Sequence, residues 1–263
     1  MTIIHISSLN DSFFQMFLEH MKKSHHRLSV CVNEPSVDNI HDLRTSIRRM
    51  TTIYKILSKY PKKKKKIKKF VKQYQLLFKS SSIIRDYDIL SEKISFYGFS
   101  ELKFIQYLKK QREKKITDIL NQYSLLLTLE VPTISEFNFI DEINIFFTKK
   151  CLELILAIQT NFPIIIQDQT KIKELHSMRK TVKKLRYLLE FLPEYSISQI
   201  MEDLKQLQDL LGDIHDNDIT ILFFQKKIDK FNSLKPLILL EKQSRDAKFK
   251  KLVEHNSLLS TNG

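Results

Sequence analysis

Two segments of the sequence place a histidine ahead of regularly spaced cationic side chains. The first is IHDLRTSIRRM, and the second is LHSMRKTVKKLRYLLEFL, which begins at Leu175. In the first segment His41, Arg44 and Arg48 recur at i, i+3 and i+7, so they share one side of a helix. Guanidinium groups bond phosphate oxygens in pairs, and ammonium groups supply compact positive charge. The spacing therefore predicts a surface for a chain of phosphates.

The second segment repeats the same three positions with His176, Arg179 and Lys183, and Lys184 and Arg186 flank them. A solvated charged face would explain one such row. It does not explain why a histidine recurs at the same position of a second row.

Helical phase alone extends the first row to Lys55 and Lys59. For His41 and His176, a contact with a neighbouring carboxylate is the alternative to a contact with ligand. A histidine that titrates near neutral pH would make anion binding somewhat pH-dependent.

A D-x-D-I element follows each cationic segment, as RDYDI from Arg85 and as HDNDI from His215. His41 and His176 are 135 residues apart, and Arg85 and His215 are 130 residues apart. Because two signatures recur in the same order at nearly the same separation, an internal duplication is predicted.

The paired aspartates, with the His-Asp dipeptides at 41–42 and 215–216, allow the hypothesis of a metal-dependent HD-type phosphohydrolase. Side chains at i and i+2 of a helix diverge, so one D-x-D pair cannot chelate a metal together. Neighbouring Arg and Lys side chains also repel cations. We expect the carboxylates to pair with Arg or Lys of adjacent helices, and we expect no metal, no other cofactor and no catalytic residue. The four aspartates concerned are Asp86, Asp88, Asp216 and Asp218.

Helices must carry these elements, because the 263 residues include only 3 glycines and 6 prolines. The apolar spacing predicts helices over about 11–32, from 37 to before Pro61, from the lysine block to Gly98, and over about 100–127. Four more helices follow Pro132, which is the best mid-chain boundary. We predict an all-α protein in one domain, 1–263, with halves at 10–127 and 135–257.

Positive charge is concentrated in one part of the chain. The formal net charge is +14, and the segment from Leu43 through Arg85 has no Asp or Glu. Such a segment predicts a polyanionic partner, which could be nucleic acid, acidic lipid or a phosphate polymer. The lysine run at 62–66 could extend the positive field. No nucleic-acid-binding module is recognisable.

Cys31 and Cys151 match no metal-ligand spacing, so buried free thiols in a reducing compartment are expected. The N-terminal segment lacks the pattern of a signal peptide, and no apolar run approaches the roughly 20 residues that span a bilayer. We expect a soluble cytoplasmic protein without a membrane partner.

Four segments resemble, in order, the signatures of the CHAD family, the conserved histidine α-helical domain. They are IHDLRTSIRRM, RDYDIL, LHSMRKTVKKLRYLLEFL and LQDLLGDIHDNDI, and the resemblance extends over about residues 10–255. The resemblance implies two four-helix bundles related by a pseudo-twofold axis. It also implies a central basic groove that binds inorganic polyphosphate without catalysis, with targeting to polyphosphate granules as one role. Nucleic-acid binding through residues 43–85 is the alternative, and the oligomeric state stays open.

The resemblance carries over to a set of ligand-facing residues, to which Lys55 is added by phase. The predicted polyphosphate-binding residues are His41, Arg44, Arg48, Arg49, Lys55, His176, Arg179, Lys183, Lys184 and Arg186. Weaker candidates are Lys110, Arg112, Lys114, Arg245 and Lys248.

The sequence departs from the family pattern at two positions. Thr51 stands where a basic residue is usual, and Ser82 replaces a glycine before the first Arg-Asp. The E-x-E-x-K motif of triphosphate-tunnel domains is absent, so a tunnel-type triphosphatase activity is not implied.

Overall fold

The structure is a computed structural model that describes residues 6–57, 65–98, 102–133, 140–190, 192 and 197–260. Lys59 and the first three lysines of the run at 62–66 lie outside these residues. No β-strand occurs in the described ranges, which confirms the all-helical class.

The described residues form nine α-helices and one short 3-10 helix at Ser124–Thr128. The helices are α1 (Ile6–Asn33), α2 (Val37–Leu57), α3 (Lys65–Ser80), α4 (Ser82–Phe96), α5 (Leu102–Tyr123), α6 (Ile140–Ile165), α7 (Ile172–Leu189), α8 (Ser198–Gln225) and α9 (Leu234–Ser260).

The chain divides into two compact units. Unit 1 comprises Met1–Lys93 and Leu102–Thr148, and unit 2 comprises Ile94–Glu101 and Lys149–Gly263. The last turn of α4 therefore belongs to unit 2. Gly98 follows that turn with φ +67°, a left-handed conformation that suits glycine after a helix end. The predicted pair of four-helix bundles stays a prediction.

Apolar faces of the cationic helices form core, as their spacing predicts. In α2, Ile47 and Met50 are fully buried, and in α7 Val182 is fully buried. Cys31 and Cys151 are also buried and free, as expected, and burial raises the pKa of their thiols to about 12 and about 11.

One predicted helix is divided in the structure. The sequence pattern predicts a single helix from the lysine block to Gly98, but α3 ends at Ser80 and α4 begins at Ser82. The hydroxyls of Ser81 and Ser82 each donate to the carbonyl of Phe78, at 3.2 Å. Serine hydroxyls that compete for helix carbonyls bend a helix. In unit 2, α8 has no serine at the corresponding positions and continues without a break.

None of the described helices combines the length with the apolar composition that a bilayer crossing needs.

Candidate functional site

Four basic side chains form the first cationic cluster, which lies in unit 1. They are His41, Arg44 and Arg48 of α2 and Arg85 of α4. Burial lowers the pKa of His41, and the charges of Arg85, Arg48 and Arg44 lower it further, against an opposing effect of Asp42. These effects favour the neutral form of His41 among the guanidinium groups. Its environment favours the arrival of an anion, which would offset the repulsion.

Arg44 is held at the break between α3 and α4. Its Nη1 donates to the carbonyl of Phe78 at 2.6 Å and to Ser81 Oγ at 2.8 Å, while Nη2 is 3.4 Å from Ser82 Oγ. The guanidinium carbon also lies 4.3 Å from the centroid of the Phe78 ring. Arg44 thus donates to the same Phe78 carbonyl that accepts from Ser81 and Ser82 at the break. Burial, with the charges of Arg48 and Arg85, lowers its pKa to about 10.

The other predicted residues of α2 lie in different surroundings. Arg48 is half-buried, and its guanidinium carbon is 5.5 Å from the centroid of the Phe78 ring that Arg44 also contacts. Arg49 is half-buried, and its charge adds to the effect of burial that lowers the pKa of His20 in α1. Lys55 is exposed. The structure therefore groups Arg48 with Arg44 and directs Arg49 toward α1.

His20 is a buried imidazole whose Nδ1 has no hydrogen-bond partner among the described residues. Burial lowers its pKa to about 4, with contributions from Arg49 and Lys23. The unfolded chain binds a proton near pH 6.5, whereas the folded chain does so only near pH 4. The free energy of unfolding should therefore fall by up to about 1.4 kcal/mol per pH unit between those values.

Urea unfolding at several pH values between 7.5 and 4.5 tests this prediction. His20→Gln should reduce the pH slope of the unfolding free energy, whereas His26→Gln, which removes an exposed imidazole of the same helix, should leave it unchanged. An equal slope in the protein and in His20→Gln would contradict the prediction.

Five basic side chains form the second cationic cluster, which lies in unit 2. They are His176, Arg179, Lys180 and Lys183 of α7 and His215 of α8. The two Nδ1 atoms of the histidines are 3.1 Å apart, and their ring centroids are 4.3 Å apart. Burial lowers the pKa of His176, with Lys180, Arg179 and Lys183 adding to the effect. Burial also lowers the pKa of His215 to about 3, again with help from these cations.

Arg179 lies near two residues of α8, Gly212 and Asp216. Its Nη2 is 4.0 Å from Asp216 Oδ1, and its Nε would lie 3.8 Å from a Cβ on Gly212. In unit 1, Arg44 contacts Ser82. Ser82 and Gly212 are 130 residues apart, the same separation as Arg85 and His215, so Arg44 and Arg179 approach corresponding positions of the two units. Lys184 is exposed, and the guanidinium carbon of Arg186 lies 5.4 Å from the centroid of the Tyr187 ring.

An arginine paired with a buried aspartate, here termed a clamp, occurs in each unit. In unit 1, Arg112 Nε donates to Asp88 Oδ1 at 2.5 Å, and its Nη2 donates to the carbonyl of Pro35 at 3.2 Å. The clamp joins α5 to α4 and to the linker before cationic helix α2. Burial raises the pKa of Asp88, which the hydrogen bond and charge of Arg112 oppose.

The clamp of unit 2 has the same form. Arg245 Nε donates to Asp218 Oδ1 at 2.5 Å, and its Nη2 donates to the carbonyl of Gln169 at 2.6 Å. It joins α9 to α8 and to the linker before cationic helix α7. The prediction that these aspartates pair with cations of adjacent helices is confirmed for Asp88 and Asp218. Arg112 and Arg245, which were weaker ligand candidates, hold helices together instead.

The remaining weaker candidates differ among themselves. Lys110 and Lys114 are exposed on α5. Lys248 of α9 donates to Asn217 Oδ1 at 3.2 Å and lies 3.5 Å from Asp213 Oδ2. Among the described residues, no three His, Cys, Asp or Glu side chains converge in a way that could hold a metal ion.

A sequence profile of the CHAD domain family matches residues 148–225. The chain contains a CHAD domain. The match covers most of α6, all of α7 and α8, and thus every residue of the second cationic cluster. No curated protein matches the sequence.

Solved structures resemble the fold of this CHAD-domain chain over a longer range. The CHAD domain from the plant Ricinus communis has a TM-score of 0.59 and 16% sequence identity, over 92% of this chain and 86% of that chain. PptA from Streptomyces chartreusis has a TM-score of 0.57 and 13% identity, over 93% of this chain and 98% of that chain. At these identities the similarity concerns the fold.

Three members of the clusters were absent from the predicted residues, namely Arg85, Lys180 and His215. Arg85 and His215 occupy corresponding positions directly before the first aspartate of each D-x-D element, and that repeat was the available signal. The predicted groove common to both halves depends on the relation of the two units and stays a prediction.

Proposed function

We propose that the protein binds inorganic polyphosphate without catalysis, through the two histidine-led cationic clusters. Each cluster supplies guanidinium or ammonium groups beside a neutral imidazole, a donor set that suits phosphate oxygens. The family resemblance supports polyphosphate as the polymer. A cytoplasmic location and targeting to polyphosphate granules belong to the same proposal.

One observation carries the proposal: in both clusters burial lowers the pKa of the leading histidine, and neighbouring cations lower it further. Like charges held close together raise the free energy of the unliganded protein, and a bound polyanion removes that repulsion. Such electrostatic strain at the same helical position of two units is expected of an anion site. It is not expected of an ordinary solvated face.

Two features support a binding role over hydrolysis. Asp88 and Asp218, the more buried members of the D-x-D pairs, are engaged by arginines of the clamps. Asp216 lies beside Arg179, so cations surround the carboxylates that a metal would need. Release of orthophosphate from polyphosphate with added Mn²⁺ would contradict the non-catalytic proposal.

The proposal includes an internal duplication of the binding unit. The clamps support it, because each joins equivalent helices and reaches a carbonyl in the linker before a cationic helix. A related pair of units would offer two clusters to one long polymer, which raises its avidity.

A charge-matched comparison tests the function. We expect Arg48→Gln with Lys183→Gln to weaken binding of long-chain polyphosphate by about 100-fold, since each lost charged hydrogen bond removes about 1.5 kcal/mol. Titration calorimetry or a gel shift with the full chain measures the change in affinity.

The control removes the same charge from exposed positions of α3. Lys68→Gln with Lys72→Gln should change the affinity for polyphosphate by less than about threefold, because exposed charges interact weakly. An equal loss in both double variants would show a diffuse positive field instead of sites. Equal affinity for RNA or DNA at matched phosphate concentration would favour the nucleic-acid alternative.

A further inference from the structure

The contact between His176 and His215 restricts where protons can lie. Their Nδ1 atoms are 3.1 Å apart, a hydrogen-bond distance at which one nitrogen donates and the other accepts. In a neutral pair, the ring that donates through Nδ1 has a lone pair at Nε2. That lone pair repels a phosphate oxygen, while the Nε2–H of the other ring can donate to it.

The charges near the pair come mainly from α7. Arg179, Lys180 and Lys183 act on both imidazoles, and on α8 Asp216 lies 4.0 Å from Arg179. From α9, Lys248 is directed to Asp213 and Asn217. Burial and the excess of cations both favour neutral imidazoles in the unliganded protein, and a bound polyanion would reverse the effect of the cations.

Unit 1 provides an internal comparison. Arg85 occupies the position that corresponds to His215, and its charge adds to the effect of burial on the pKa of His41, whereas His215 contacts His176 at 3.1 Å. A guanidinium carries its charge at all relevant pH values. The first cluster therefore has a permanent cation at the place where the second has a titratable one.

We infer that His215 is a further ligand-binding residue, and that the His176–His215 pair takes up one proton from solvent when phosphate binds to the second cationic cluster. The proton turns the Nε2 lone pair into a donor, and the charged ring still donates from Nδ1 to the neutral ring. A second proton would set two donors against each other, so the uptake stops at one. This inference rests on the proposed polyphosphate binding.

Titration calorimetry of the full chain with long-chain polyphosphate at pH 7 tests the inference. The observed enthalpy is measured in several phosphate-free buffers with different ionisation enthalpies, and its slope is the number of protons exchanged. We expect the His176–His215 pair to contribute up to one proton per chain to the net uptake, and His41 of the first cluster can add to it. Terminal phosphates of the polymer would release protons on binding, which is opposite in sign to the expected uptake. A long polymer has few terminal phosphates, so their contribution is small.

Two variants of His215 make the test specific. His215→Arg copies unit 1 and should reduce proton uptake by up to one proton per chain while it preserves binding at pH 8. His215→Gln, which is smaller and uncharged, should also reduce uptake and serves if the arginine impairs folding. Affinity of the natural protein should rise by up to about tenfold per pH unit below neutrality relative to either variant.

The outcomes separate the inference from the proposed function. Tight binding with no proton uptake, or uptake that is undiminished in both variants, would overturn the inference and leave polyphosphate binding intact. Absence of polyphosphate binding would overturn both. His26→Gln, an exposed histidine of unit 1, should leave proton uptake unchanged.

Discussion

Arg245→Met is expected to lower the free energy of unfolding by about 3–5 kcal/mol, because it leaves a buried carboxylate without its cation. Asp218 and Arg245 are 6% and 8% exposed, so water can replace little of the lost interaction. The variant also loses the hydrogen bond to the carbonyl of Gln169, which anchors the linker before α7. Urea unfolding followed by circular dichroism measures the loss.

Lys242→Met is the matched control, since it removes a cation from an exposed position of the same helix. It should change the free energy of unfolding by less than about 0.5 kcal/mol. Arg245→Met combined with Asp218→Leu should cost less than Arg245→Met alone, because no unpaired charge stays buried. A loss below about 1 kcal/mol in Arg245→Met would show that the clamp does not stabilise unit 2.

An increase in salt from 50 to 200 mM is expected to weaken binding of long-chain polyphosphate by about 10³-fold. The estimate follows from counterion release at nucleic acids, with about six to eight phosphate contacts and a slope of about −0.7 per contact. The two clusters provide nine basic side chains, of which six are Arg or Lys and three are histidines. Affinity measured across a salt series yields the slope of log affinity against log salt.

Cluster variants should change that slope in proportion to their charge. Arg48→Gln with Lys183→Gln should reduce its magnitude by about one to two, whereas Lys68→Gln with Lys72→Gln should leave it nearly unchanged. A slope near zero in the natural protein would mean that binding does not depend on displaced counterions. That result would contradict phosphate contacts as the main source of affinity.

Part of this structure follows from sequence because helical geometry is local. Spacing at i, i+3 and i+7 decides which residues share a face, so the buried positions Ile47 and Met50 could be predicted without coordinates. The scarcity of glycine and proline likewise indicated an all-helical chain. The sequence also predicted that Asp88 and Asp218 pair with Arg or Lys, since buried carboxylates need partners.

The identity of those partners was not predictable, because it depends on contacts between residues distant in sequence. Arg245 meets Gln169 across 76 positions and Asp218 across 27, and no local pattern specifies either contact. The division between α3 and α4 also depends on a distant residue. Serines weaken that helix locally, but Arg44 of another helix donates a hydrogen bond to the Phe78 carbonyl at the break.

The sequence by itself determined the helical class, the cationic faces and the repeated histidine, since these are set by composition and by the helical period. Only the tertiary structure decided how the arginines are used. Arg44 supports a helix break and Arg245 holds a clamp, while His215 reaches His176 at 3.1 Å. Packing sets these roles, because each depends on which helices lie side by side.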